Sequence, residues 1–392
     1  MITIKRIYLE KANNKSRCIC EIELKNEIKR IWFEVDEEYG EYLTTDRCDA
    51  YLIGILSYAM RLGEDIACEI PVTDELLFQI NEILMPSLVK HSINLHTIKI
   101  FCDTIAPINE GKAVGTGLSC GVDSFWSVRE HCNSLYSEFN ITHLCINNVG
   151  AFNECYADYG IEKVKKERYE IARNVANELG IKLIITDSNF ADIIEQNHLL
   201  TSTYSCCFAI YMLQKLWKIY YLASNGIDYA QFSLKNNDIK PSEQSELFVL
   251  QCFSISSLRI YCDGGGKNRF EKTLDISDYE PAQKYLHVCT KKPFNCGICS
   301  KCRRTLLSLD AMNKLDNFKG VFDIDYYRKN RSEYYKWLYI QHINEDIMNA
   351  PSYEVLSKRH DYKVPLVFKA KKRLLKKIPK NFKESIKRFL KR

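Results

Sequence analysis

The chain has 392 residues, 46% of them apolar and 27% charged, enough for a well-buried core and ordinary for a globular protein. No run approaches the roughly 18 uncharged apolar residues of a membrane span, and residues 1–14 lack the apolar stretch of a secretory signal, so a cytoplasmic protein is expected. Seventeen cysteines, an odd number scattered along the chain under a net charge of +5, argue against a secreted disulfide scaffold.

Residues 1–110 read as an N-terminal α+β domain. Residues 2–4, 18–24 and 31–35 alternate in strand fashion, which matches a half-buried sheet. Residues 51–62 read as a mostly apolar helix and 74–85 as an amphipathic one, with Thr73 or Asp74 as its cap. From Gly111 the pattern becomes strand, helix, strand. A short run of small and apolar residues, 113–118, precedes a helix from Asp123. Strands are expected at 142–149, 182–186 and 229–234. Helices are expected at 164–179, stopped by Gly180, and at 204–223. The alternation predicts an α/β fold over residues 111–314, a doubly wound parallel sheet with helices on both faces. The tyrosine-rich residues 315–363 are expected to form a helical extension. Residues 364–392 form a basic amphipathic tail. From 369 onward it carries twelve Lys or Arg and one acid, a local +11 that leaves the rest of the chain at −6. Such a tail suits an anionic membrane surface or nucleic acid, with peripheral membrane attachment or a partner helix as further readings.

Between the 113–118 run and its helix lies Gly115-Thr116-Gly117-Leu118-Ser119-Cys120-Gly121-Val122-Asp123-Ser124. Small residues let a backbone approach a phosphate, and a helix start offers unpaired N–H groups and a partial positive charge. Ser119 and Ser124 add hydroxyls. Asp123 is placed to cap the helix or to sit beside Mg2+. The plain alternative is a strand-to-helix turn.

Downstream, Cys289, Cys296, Cys299 and Cys302 are spaced C-x6-C-x2-C-x2-C. Two consecutive C-x2-C steps turn thiolates toward one point, Gly297 permits the tight turn, and Cys289 closes a four-cysteine site. Zn2+ is the expected metal, and an iron–sulfur cluster is the alternative.

Ser119, Gly121, Asp123 and Ser124 resemble the Ser-Gly-Gly-x-Asp-Ser signature of the PP-loop ATP pyrophosphatase superfamily, with Cys120 in place of the first paired glycine. The four-cysteine knot late in the chain, followed by a helix that starts with arginine, resembles the 7-cyano-7-deazaguanine synthase-like branch. The resemblance spans residues 112–313 and marks a divergent relative. It implies ATP and Mg2+ as cofactors, with Ser119, Cys120, Gly121, Val122 and Ser124 around the phosphates. It implies catalytic roles for Asp123 and for Lys272, which resembles a downstream phosphate-binding lysine, and leaves Lys267, on the loop 264–267, to bend over the nucleotide. The zinc would be structural. The expected activity is adenylation of an acceptor with release of pyrophosphate, in the manner of a ligase or synthase that makes a C–N bond. The acceptor is a small molecule or a macromolecule, and a homodimer is compatible. A tRNA-modifying sulfurtransferase and a non-enzymatic nucleotide-binding protein are the alternatives. Arg269 is a further candidate anion clamp. Asn147, Asn148, Gly150, Asp187 and Ser188, at strand ends, are weaker candidates for the nucleoside.

Overall fold

The computed structural model describes residues 1–152, 159–195, 198–224, 228–234 and 245–370. The expected tail therefore lies mostly outside the described residues. Strands run β1 (Ile2–Ala12), β2 (Lys15–Leu24), β3 (Glu27–Asp36), β4 (Ile66–Cys68), β5 (Val72–Thr73), β6 (Ile100–Phe101), β7 (Thr104–Ile105), β8 (Ala113–Gly117), β9 (His143–Asn147), β10 (Lys182–Ser188), β11 (Trp217–Ala223) and β12 (Arg259–Asp263). The fold is α/β with a large, mostly parallel sheet. Ten described strands join it in the order β12-β11-β8-β9-β10-β3-β2-β1-β4-β6. The first five are mutually parallel, and their middles are buried, as Val114, Leu144, Ile184 and Tyr220 show. From β8 the chain adds β9 and β10 on one side, then β11 and β12 on the other, so the order reverses between β8 and β11.

The N-terminal strands continue this sheet. Two-residue turns with left-handed residues, Asn13-Asn14 and Lys25-Asn26, set the hairpins β1–β2 and β2–β3 in the register Ala12↔Lys15 and Leu24↔Glu27, as turns of this hand do. The outer edge of β3 then pairs antiparallel with β10, Glu34 opposite Asp187. The Ser188 hydroxyl donates to the Trp32 carbonyl at 2.6 Å, and the Trp32 N–H donates to Asn189 Oδ1 at 2.8 Å. Beneath, Phe33 and Tyr51 pack edge-on against Phe208 at 5.7 and 5.5 Å. Residues 1–110 are thus not a separate body. They share a core with the parallel strands, because β3 leaves an unpaired edge that β10 fills. The compact unit is Met1–Lys267 with Thr290–Pro293, and the second is Asn268–Cys289 with Phe294–Arg392.

Three local expectations are revised. The apolar stretch 204–223 is two elements: helix His198–Met212, then β11. Residues 229–234 form a 3-10 turn, Tyr229–Gln231, rather than a strand. There the Tyr229 N–H donates to the Gly265 carbonyl at 2.7 Å and its hydroxyl to the Cys262 carbonyl at 2.7 Å, so the segment folds back on the end of β12. Helical structure from Asp74 continues beyond residue 85 to His91 through a wider turn, Gln79–Leu84. The hydroxyl and N–H of Thr73 both go to the buried Asp49 carboxylate instead of capping that helix.

The second unit is helical. Its centre is Asp310, 3% exposed, on helix Ser300–Ala311. The carboxylate accepts from Tyr327 at 2.6 Å, Tyr335 at 3.4 Å, and Arg331 and Arg359 at 3.2 Å each. One buried acid thereby ties four later side chains to the helix that follows the cysteine cluster. No helix among the described residues is long and apolar enough to cross a membrane.

Candidate functional site

The 119–124 loop leaves the carboxyl end of β8 and opens helix Val122–His131. Gly121 is the N-cap residue, so Asp123 falls in the first turn and does not cap the helix. Cys120 is left-handed at φ 55°, a conformation glycine adopts freely and other residues adopt at a cost. Its thiol is fully buried, and burial pushes its pKa up to about 11, with the Arg168 charge drawing it down. A buried thiol of this kind is a poor nucleophile. Ser119 is exposed, and its hydroxyl accepts from the Gly121 N–H at 3.3 Å and meets the Ser124 hydroxyl at 3.2 Å. Ser124 is buried and donates to the Gly121 carbonyl at 3.2 Å. The loop is closed on itself by hydroxyl contacts that an anion could replace. The Val122 side chain is buried, which leaves its backbone as its contribution.

The loop 264–267 ends β12. Gly265 admits the Tyr229 ring, which a Cβ there would meet at 1.8 Å. Lys267 lies over the Trp126 ring, 5.9 Å from its centre, so this lysine comes to the helix that the 119–124 loop opens. Lys272 sits in helix Arg269–Asp275 of the second unit and is buried. That helix starts at Arg269. Asn268 caps it, and the Glu271 carboxylate returns to the Asn268 N–H at 2.8 Å, a reciprocal capping box that places Arg269 first.

Beyond β9 and β10 a cleft of about 640 Å³ is lined by Trp32, Asn148, Lys163, Asp187, Ser188 and Asp192, among others. Asp187 is its fixed centre, accepting from Asn148 at 2.6 Å and Lys165 at 2.6 Å. Asn147 is held by Thr186 at 2.9 Å. Cys207 is fully buried in helix His198–Met212 and serves the core.

In the second unit the four expected cysteines converge, with all Sγ atoms within 4.8 Å of one another. Cys296–Cys302 is 4.0 Å and Cys289–Cys299 is 3.9 Å. A tetrahedral zinc with about 2.3 Å bonds needs sulfurs about 3.8 Å apart, so the cluster could hold a metal such as zinc with little contraction. Gly297 turns at φ 73°. The Cys299 Sγ accepts from the Cys302 N–H at 3.5 Å, and the Cys296 Sγ from the Cys299 N–H at 3.4 Å, contacts that fix the positions of these sulfurs. Hydrogen bonds with Cys289 and Cys302 hold the Cys299 thiol well below the usual thiol range. Asn295 braces the loop from behind, accepting from the Val288 N–H at 2.9 Å and donating to the Leu286 carbonyl at 2.8 Å.

Compared with known proteins, the chain matches no family model, no curated protein and no solved structure.

Sequence reasoning missed Arg168. It lies on helix Ile161–Leu179 in the buried stripe Val164, Arg168, Ala172, Val175 and Ala176, and its Nη2 donates to the Ser119 carbonyl. The signal was present: an arginine one helical turn from Val164 and one from Ala172 occupies a position reserved for core residues.

Proposed function

We propose that the 119–124 loop binds the phosphates of ATP with Mg2+ and that this protein is a PP-loop-type enzyme that adenylates an acceptor. The reading is carried by one observation. The loop leaves β8 where the strand order reverses, and it opens a ten-residue helix, Val122–His131. Open α/β sheets take ligands at the carboxyl ends of the strands at such a reversal, and a helix start supplies N–H groups and positive potential to phosphate. Ser119 and Ser124 would donate to phosphate oxygens, the Gly121 and Val122 amides would line the cradle, and Asp123 would ligate Mg2+. Lys267 would reach across from the end of β12.

In the reaction an acceptor oxygen forms a bond to the α-phosphorus. The bond from that phosphorus to the bridging oxygen breaks, and pyrophosphate leaves with the electron pair. A nitrogen nucleophile then displaces AMP. The chain's part is to orient the groups and to stabilise the charge that builds on the leaving phosphates. Burial of Cys120 favours this reading over a sulfur relay through that residue. The four-cysteine site leaves a bound zinc no open position, which suits a structural role.

Calorimetric titration with a non-hydrolysable ATP analogue and Mg2+ tests the reading. Binding to the wild type, weakened by roughly tenfold in Ser124→Ala through loss of a charge-assisted hydrogen bond, supports it. A folded wild type that gives no binding sinks it.

A further inference from the structure

Arg168 is 4% exposed, and its guanidinium stays protonated whatever its surroundings. A buried charge without a counter-charge is costly, so its neighbours should include a carboxylate. Among the described residues Arg168 forms no ion pair, with Asp123 or with any other acid. Its Nη2 donates to the Ser119 carbonyl, and its Nη1 is buried with no hydrogen-bond partner. The side chain therefore reaches the 119–124 loop carrying a full positive charge and an unused donor. The start of helix Val122–His131 adds its own partial positive charge at the same loop. The guanidinium is also near enough to Cys120 to oppose the upward push of burial on that thiol.

We propose that Arg168 is the positioning residue of the loop: it holds the Ser119 carbonyl so that the chain keeps its left-handed turn at Cys120, and its buried charge makes the loop select a multiply charged phosphate. The proposal rests on the phosphate-binding reading above. Arg168 does not itself touch the ligand. Its missing counter-charge is supplied by the anion across the loop, and the free protein carries the deficit until that anion arrives.

The test uses the full chain and inorganic pyrophosphate with Mg2+, titrated calorimetrically at several salt concentrations into wild type, Arg168→Lys and Arg168→Gln, with thermal melts to establish folding. Glutamine can still donate to the Ser119 carbonyl but carries no charge, whereas lysine keeps the charge. The expected result is Arg168→Lys within a few-fold of wild type and Arg168→Gln weaker by roughly tenfold or more, with a shallower salt dependence. A folded Arg168→Gln with wild-type affinity and salt dependence would overturn the proposal, as would equal weakening of both variants. Should Arg168→Gln not fold, the wild type decides alone: pyrophosphate must bind far more tightly than uncharged adenosine, and equal affinities overturn the charge selection. A wild type that binds neither pyrophosphate nor an ATP analogue removes the phosphate reading and this inference together. Binding that is indifferent to Arg168 removes only the inference.

Discussion

The Tyr334 hydroxyl donates to the Gly297 carbonyl at 3.0 Å, across 37 residues of chain. The turn that presents Cys296 and Cys299 is thus clasped by helix Arg331–Ile343, and Arg303, just after the cluster, lies over the same tyrosine ring at 5.8 Å. The cysteine cluster and the helical unit stabilise each other. The purified protein should carry about one zinc per chain, as four-cysteine sites do. Metal analysis should show that Cys299→Ser loses it and melts at lower temperature. Tyr334→Phe should keep the zinc and lose about 1 kcal/mol of stability, the worth of one hydrogen bond. Full zinc in Cys299→Ser would show that these thiols are not the ligands.

Asp310 gathers two phenols and two guanidinium groups. Removing one partner of a buried charge network typically costs about 3–5 kcal/mol. The two arginines remain partly exposed, with side-chain exposures of 31% and 24%, so water can take them up and the cost should fall near about 3 kcal/mol. Urea denaturation of Asp310→Ala measures it. A loss below about 1 kcal/mol would mean that the network contributes little.

Cys120 holds φ 55° with its side chain buried. Truncation loses packing in either replacement, but only glycine relieves the left-handed strain, worth roughly 1–2 kcal/mol. Cys120→Gly should therefore be more stable than Cys120→Ala by about 1 kcal/mol in a denaturant titration. The reverse order would mean that the loop turns differently.

The two local motifs are legible in the sequence because each is short and contiguous. The loop from Ser119 to Ser124 and the four cysteines both occupy the elements expected of them. What is illegible depends on partners distant in sequence. Arg168 looks like one more charge on an amphipathic helix until the Ser119 carbonyl, 49 residues earlier, is placed beside it. The apolar run through Trp217–Ala223 carries no period that separates a buried strand from a buried helix, so β11 merges with the preceding helix. Nothing within residues 1–110 announces that β3 will find its neighbour in β10. Only the free edge of the hairpin sheet hints that something must cover it.

His143 opens β9 in the core, edge-on to Tyr39 and Trp217 at 6.1 and 5.8 Å. Burial, aided by the Lys182 charge, lowers its pKa from 6.5 to about 4. The unfolded chain therefore binds a proton below pH 6.5 that the folded chain refuses until about pH 4. The neutral imidazole's contribution is fully present above pH 6.5 and is lost as pH falls from there to 4, on the order of 3 kcal/mol in total. Stability measured from pH 7 to 4 should fall over this window, and His143→Gln should flatten the slope. An unchanged slope in the variant would assign the acid sensitivity to other groups.

A crystal structure with a non-hydrolysable ATP analogue and Mg2+ would decide whether the 119–124 loop holds the phosphates of ATP. Phosphate oxygens should lie within hydrogen-bonding distance of Ser119, the Gly121 N–H and Ser124, with Lys267 turned toward them. An analogue bound elsewhere, with the Ser119–Ser124 contact intact, would contradict that placement.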